Sequence, residues 1–315
     1  MCSYHILCLQ NKWKVLLFNV VIKTIWNGKR KYICIERKNM KIISDTASLF
    51  SPKTGAVANI TIVPACVIDG ARVYRDYDDI SVEEFLQMIA AGAVPTSSQP
   101  AIGDLIDVFE ESEEEILALF IGDGLSGGYQ NAVGAKNSMD DNAHIRIIDT
   151  KTLAGAEHYL VQKAVYLREQ GLCIDEIEQA LLKSIETSAS FVIPADFEFL
   201  KRSGRLTPIA AKIGAMIKIV PVLTQTEDKK KITPFVVKRS WKKATASILE
   251  QLEKLGVNED YMIYICHGGN LTTAEEVAEQ TKARFPQVEL QLMSLSPTMI
   301  THGGPGCVLV QAIKK

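Results

Sequence analysis

The 315-residue sequence lacks a charge excess: 35 Lys and Arg face 37 Asp and Glu, a formal net charge of −2. A chain so balanced has no general attraction to nucleic acid. Its seven cysteines form no CxxC pair and no metal-like Cys/His spacing, which fits reduced thiols in a cytoplasmic protein. No two histidines stand at helix spacing, so no metal site is read from the sequence. No uninterrupted apolar run reaches the ~20 residues a membrane helix needs. Internal repeats and low-complexity tracts are also missing. What is present is 47% hydrophobic and 23% charged, enough apolar mass for a proper core and, at this length, for about two domains.

Residues 1–39 differ from the rest. They carry Lys12, Lys14, Lys23, Lys29, Arg30, Lys31, Arg37 and Lys38 against a single acid, Glu36. The apolar segment 15–22 is too short to span a bilayer, and no small-residue cleavage site follows it. The expectation is an extension that contributes nothing to the fold. From Met40 onward strand-like runs at 41–44, 60–68, 116–121, 144–148, 190–193, 217–223, 261–266 and 288–293 alternate with helical patterns. Ser81-Val82-Glu83-Glu84 is a capping box; helices also open near Asp175 and Thr272. Lys229-Lys230-Lys231 reads as an exposed turn, a candidate hairpin. This alternation predicts two α/β domains with largely parallel sheets, 40–170 and 171–315, with the boundary near Gly171 after a long helix at 153–170.

Chemistry concentrates in a few stretches. Pro95-Thr96-Ser97-Ser98-Gln99-Pro100 pens three hydroxyls between two prolines. Each proline fixes its φ and pushes the preceding residue toward an extended conformation, so the hydroxyls sit on a stiff segment. A helix should start just after it. The segment is then either a capping turn or a site for a negatively charged group. Gly124-Leu125-Ser126-Gly127-Gly128 matches the nucleophile elbow of serine hydrolases in strand–turn–helix context, with His302 and Asp149 as candidate partners. Its ordinary reading is a glycine-rich turn whose serine caps the helix. His302 lies in Thr301-His302-Gly303-Gly304-Pro305-Gly306, and His267 ends a strand. Lys201-Arg202-Ser203-Gly204-Arg205 is a basic turn, which Lys238-Arg239 and Lys242-Lys243 could extend; it is either a solvated face or a docking surface. Cys66, Cys266 and Cys307 lie in apolar runs and read as small core residues.

These stretches together resemble the DegV family of bacterial fatty-acid-binding proteins. The matching segments are Ile43-Ser44-Asp45-Thr46-Ala47, 95–103, Leu125-Ser126-Gly127-Gly128-Tyr129-Gln130, Ile147-Ile148-Asp149-Thr150, 200–206, Ile219-Val220-Pro221-Val222-Leu223 and 302–306, in the family's order. The resemblance implies a long-chain fatty acid held between two α/β domains, no other cofactor, and no catalysis by this chain alone. It implies that the fatty acid is presented to a separate, ATP-binding fatty acid kinase subunit that phosphorylates the carboxylate, in the service of phospholipid metabolism, and it allows transient membrane contact. Carried over by motif, Thr96 and Ser126 hold the carboxylate, with Ser97, Ser98, Gly127 and His302 around them. Arg205 matches the arginine implicated in meeting the kinase, and Arg202 and Arg239 extend that surface.

Two positions depart from the family pattern. Gly122-Asp123 stand where serines usually precede the Leu-Ser-Gly element, and an acid there repels a carboxylate unless it points away. The opening motif also lacks one hydroxyl, reading Ser44-Asp45-Thr46-Ala47. Ile209, Ile213, Met216 and Ile217 are candidate walls of an acyl tunnel, or ordinary core. The rival functions are a serine hydrolase or acyltransferase using Ser126 and His302, and an interaction module.

Overall fold

The structure is a computed structural model that describes residues 20–27, 30–37, 39–215 and 219–315; for 20–37 and 213–215 the backbone alone is described. Strands Val20–Asn27 and Arg30–Arg37 form an antiparallel pair and join none of the other three sheets. The remainder of the 1–39 stretch, with Lys12 and Lys14, lies outside the described residues up to Asn39. We propose that 1–39 form no part of the fold. A chain starting at Met40 should then melt at the temperature of the full chain in a calorimeter; insolubility or a clear drop would make the extension part of the fold.

The first half is a parallel sheet in the order Thr61–Val63, Met40–Asp45, Glu115–Phe120, Ile145–Asp149. The apolar run at 60–68 does not form one strand. Pro64 has no N–H to donate, so the ladder stops there. The chain resumes as Cys66–Asp69 in a separate antiparallel sheet between Arg72–Arg75 and Thr96–Ser98. The capping box forms as read: Ser81 accepts from Glu84 N, and Glu84 accepts from Ser81 N at 2.9 Å. The helix expected near Asp175 starts at Ile174, with Glu176 accepting from Cys173 N at 2.9 Å. The one near Thr272 starts at Leu271, capped by Asn270.

The second half is a six-stranded sheet in the order Ile232–Lys238, Val220–Gln225, Ala189–Ile193, Val308–Lys314, Tyr261–His267, Glu289–Ser294. Only the pairing of Tyr261–His267 with Glu289–Ser294 is parallel. The fold is α/β as expected, and the parallel arrangement is confined to the first sheet and this one pairing. The cause is local: the 226–231 turn is a hairpin, and Val308–Lys314 runs antiparallel between two neighbours.

Helix Ala154–Glu169 touches strands of both large sheets. Its first turn, Ala154-Gly155-Ala156, is small enough for close approach; a Cβ on Gly155 would lie 2.3 Å from the Cβ of buried Tyr264. One apolar cluster therefore includes Ile42, Leu117 and Leu160 together with Leu223, Tyr264 and Leu309. Helix Pro297–Gly303 reaches back from the second half to touch strands Cys66–Asp69 and Thr96–Ser98. The site is built at that crossing.

Candidate functional site

Strand Thr96–Ser98 puts successive side chains on opposite faces. Ser97 takes the inner face, where its Oγ lies 2.7 Å from His302 Nε2. Thr96 is exposed, and Ser98 Oγ donates to the Gln99 carbonyl at 3.1 Å. The hydroxyls do not cap the next helix, Ile102–Glu110, whose N-cap Ala101 makes no side-chain bond. Burial pushes the His302 imidazole down to about 4, with the Arg205 guanidinium adding to the effect. The ring is therefore neutral at pH 7 and can donate or accept at Nε2 according to its tautomer.

The glycine-rich elbow comes up beside this pair. Ser126 Oγ accepts from Gly128 N at 3.4 Å, at the start of helix Gly128–Asn137. Gly127 fits because a Cβ there would stand 3.0 Å from the Gln99 side chain. Asn131 Nδ2 donates to the Pro100 carbonyl at 3.0 Å, a second tie between the two loops. Asp123 turns to Lys230 Nζ at 3.0 Å and accepts from Gln130 Nε2 at 3.2 Å. Its acid is thus committed elsewhere. No hydrolase triad is assembled: His302 bonds Ser97, and Asp149 accepts from the backbone N–H groups of Asp123 and Lys151.

Arg205 is not the exposed arginine that the basic turn suggests. It is half-buried, donates from Nε to the Leu125 carbonyl at 3.0 Å, and bonds the Ser203 carbonyl through Nη1. Backbone bonds Ile232 N to Arg205 O and Thr207 N to Ile232 O, both 2.9 Å, fasten the segment to the sheet edge and fix this inward aim. It does not pair with Asp196, which accepts from Glu198 N to cap helix Phe197–Arg202. Arg202 and Arg239 do remain exposed, Arg202 over the ring of Phe199 at 4.5 Å.

Between the halves lies an apolar cavity of about 80 Å³. Its walls include Ile121, Leu125 and Leu153 on one side and Leu223, Met299 and Leu309 on the other, with Arg205 and His302 among the few polar groups. Sequence patterns gave no sign of these wall residues, because each is an ordinary apolar position until distant segments meet. Ile209 is 66% exposed and forms no wall; the side chains of Ile213, Met216 and Ile217 lie outside the described residues. A wider open cleft at the other end of the first sheet is bordered by Glu111, Glu113 and Glu114 against Lys41 and Arg168, so it offers an anion no net positive charge. Among the described residues no cluster of His, Cys, Asp and Glu could hold a metal ion, and no helix is long and apolar enough to cross a membrane. Cys266 and Cys307 are fully buried and their thiols are pushed up to about 12, as core cysteines should be; Cys66 is only partly covered.

Sequence reasoning missed a set of buried acids. Burial raises Asp45 to about 7 and Asp76 to about 6, and lifts Glu157 well above the usual carboxylate range. His158, stacked 4.1 Å from Phe50 and donating from Nδ1 to the Ser48 carbonyl, is lowered by burial to about 4, like His302. The signs oppose. As pH falls from 7 to 5 the unfolded chain gains protons at both histidines that the fold refuses, a loss of about 2 kcal/mol each. Over the same window the folded protein takes up protons at Asp45 and Asp76 that the unfolded chain does not, and gains about as much in total. Glu157, lifted by burial, pulls toward the fold, and His267, whose imidazole burial also lowers, pulls against it. Melting temperature should therefore change little between pH 7 and pH 5; a steep acid loss would show that the histidines dominate.

A family model described as "Uncharacterised protein, DegV family" matches residues 39–315. A DegV domain-containing protein of Listeria monocytogenes is 28% identical over 277 residues, 86% of this chain and 97% of that protein. Protein DegV of Bacillus subtilis is 27% identical over 276 residues, with the same 86% and 97% coverage. The solved structure of a DegV family protein from Thermus thermophilus, reported for its fatty acid binding, aligns with a TM-score of 0.80 at 25% identity, over 88% of this chain and 100% of that one. A fatty acid binding DegV family protein from Streptococcus agalactiae gives a TM-score of 0.80 at 25% identity, over 88% and 99%. With the family pattern matched from the first parallel strand to the last strand of the six-stranded sheet, the chain belongs to the DegV family.

Proposed function

We propose that this protein binds a long-chain fatty acid between its two halves and presents the carboxylate to a separate kinase subunit in the cytoplasm. The observation that carries the reading is the Ser97–His302 pair and the inward Arg205, grouped beside an apolar cavity. Burying a chain of some sixteen carbons yields on the order of 10 kcal/mol at roughly 0.8 per CH₂. That gain survives only if the carboxylate keeps hydrogen bonds when it leaves water. Ser126 and the Ser97–His302 pair, whose mutual bond leaves one proton free, supply donors, and Arg205 supplies a nearby positive charge. Asp123, held by Lys230, does not oppose it. The 80 Å³ cavity is well under the ~300 Å³ of a typical small-molecule pocket, so a long chain must press its walls apart.

The exposure of Thr96, on the strand whose next residue bonds His302, supports a carboxylate lying just beneath the surface, where a kinase could reach it. Exposed Arg202 and Arg239 offer that partner a basic face. Delipidated protein should melt higher with saturating long-chain fatty acid, since ligand binds the folded state. No shift at any chain length would overturn the reading. With a cognate kinase and ATP, Arg202→Ala combined with Arg239→Ala should slow acyl-phosphate formation and leave the thermal shift intact. An unchanged rate would remove that face from the partner's site.

A further inference from the structure

The loops that close over the cavity meet through side-chain and backbone contacts. The elbow is preceded by Gly122-Asp123, and Asp123 Oδ2 pairs with Lys230 Nζ at 3.0 Å. Lys230 sits on the hairpin turn between strands Val220–Gln225 and Ile232–Lys238. The neighbouring lysines of that turn do opposite work. Lys229 points into its own half, its Nζ donating to the carbonyls of Ile185 at 2.7 Å and Ser188 at 3.1 Å and to Ser188 Oγ at 2.7 Å. It fastens the turn to the end of helix Ile174–Thr187. Lys230 points the other way, across to the elbow loop. Asp228 Oδ1 accepts from Lys230 N at 3.1 Å and from Thr226 Oγ1 at 2.6 Å, which holds the turn in this shape. A second bond crosses beside the first, from Gln225 Nε2 to the Lys151 carbonyl at 3.1 Å. The backbones are in close contact as well: a Cβ on Gly124 would lie 2.8 Å from the Lys230 carbonyl oxygen.

Ile121 and Leu125 of the elbow and Leu223, Gln225 and Ile232 of the hairpin line the same cavity. The hairpin is rigidly joined to its own half, so widening the cavity means parting these two loops. We propose that Asp123, Lys230 and Gln225 form a clasp that must open for an acyl chain to pass and then re-form over it. The inference rests on the fatty-acid reading, and its signature is kinetic. The clasp is a barrier common to binding and release, so losing it speeds both and leaves their ratio unchanged.

Stopped-flow fluorescence with cis-parinaric acid tests it on the full chain. Asp123→Asn and Lys230→Gln should each raise association and dissociation rates about threefold, as expected for a partly exposed ion pair, and the double variant, which leaves no unpaired charge beside the head group, should do so with Kd unchanged. The exchanged pair, Asp123→Lys with Lys230→Asp, should return both rates toward wild type. Added salt should speed the wild type and leave Asp123→Asn unmoved. Wild-type rates in both single variants, or a Kd in the double variant that shifts as far as the rates, overturns the clasp. Hydrogen exchange without added lipid separates this outcome from failure of the fatty-acid reading. Amides in 122–126 and 226–231 should exchange faster in Asp123→Asn even if parinaric acid does not bind. Unchanged protection there overturns the clasp whatever the ligand is.

Discussion

Gly155→Ala should cost at least ~3 kcal/mol, the upper end for an overpacked core, and Gly155→Val should leave no folded protein. The added Cβ would stand 2.3 Å from Tyr264 Cβ and 2.5 Å from Cγ, and Tyr264 is fully buried. Neither partner can swing away, because the glycine belongs to the helix packed on both sheets and the tyrosine to strand Tyr261–His267. Relief requires moving the helix itself, which strains the cluster joining the two halves. Trimming the ring removes the Cγ contact but keeps the Cβ at 2.3 Å, so Tyr264→Ala relieves the clash only in part. Urea unfolding of Gly155→Ala, alone and with Tyr264→Ala, measures this. A wild-type midpoint in the single variant would show that the helix slides freely between the sheets. A loss of this size is a large share of the 5–15 kcal/mol that holds a typical domain together.

Ser97→Ala should weaken fatty-acid binding by about 1.5–3 kcal/mol, roughly ten- to a hundredfold in Kd. On the proposed reading the variant removes a donor to the charged head group, and it also leaves His302 Nε2 without its partner at 2.7 Å. Ser126→Ala should act in the same direction. Thr96→Val should cost less, because Thr96 is exposed on the opposite face of the strand. Titration of the three delipidated variants with one fatty acid settles the order. Equal losses for Thr96→Val and Ser97→Ala would mean that the carboxylate approaches from outside the strand. Melting temperatures of the unliganded variants should stay together, which separates head-group loss from misfolding.

The difference between Thr96 and Ser97 marks the limit of what the sequence discloses. Flanking prolines make the hydroxyl stretch extended, and that is written in local chemistry. Which hydroxyl faces inward depends on its register against Cys66–Asp69, and one residue of slip exchanges the faces. Arg205 was legible as a cation on a turn, but its aim is set by backbone bonds to Ile232, 27 positions further along. Asp123 could be flagged as an acid out of place. Its neutralising partner lies on a hairpin 107 residues away, and no local pattern links them. The α/β alternation and the hairpin at Lys229-Lys230-Lys231 were legible because periodicity and turn composition act over a few residues. The cavity was not, since its walls are drawn from both halves.

The position of Val308–Lys314 has a consequence for how the protein is made. It lies in the middle of the six-stranded sheet, antiparallel to Ala189–Ile193 on one side and Tyr261–His267 on the other. Of the sheet's six strands it is the last to be synthesised. Until residue 314 leaves the ribosome, the other five exist as two unconnected groups with open inner edges. Those edges carry the apolar side chains of Phe191, Ile193, Ile263 and Ile265, all destined for the core. The nascent second half thus spends its synthesis as a sheet with its centre missing, and its stability arrives in one late step when the final strand zips both edges together.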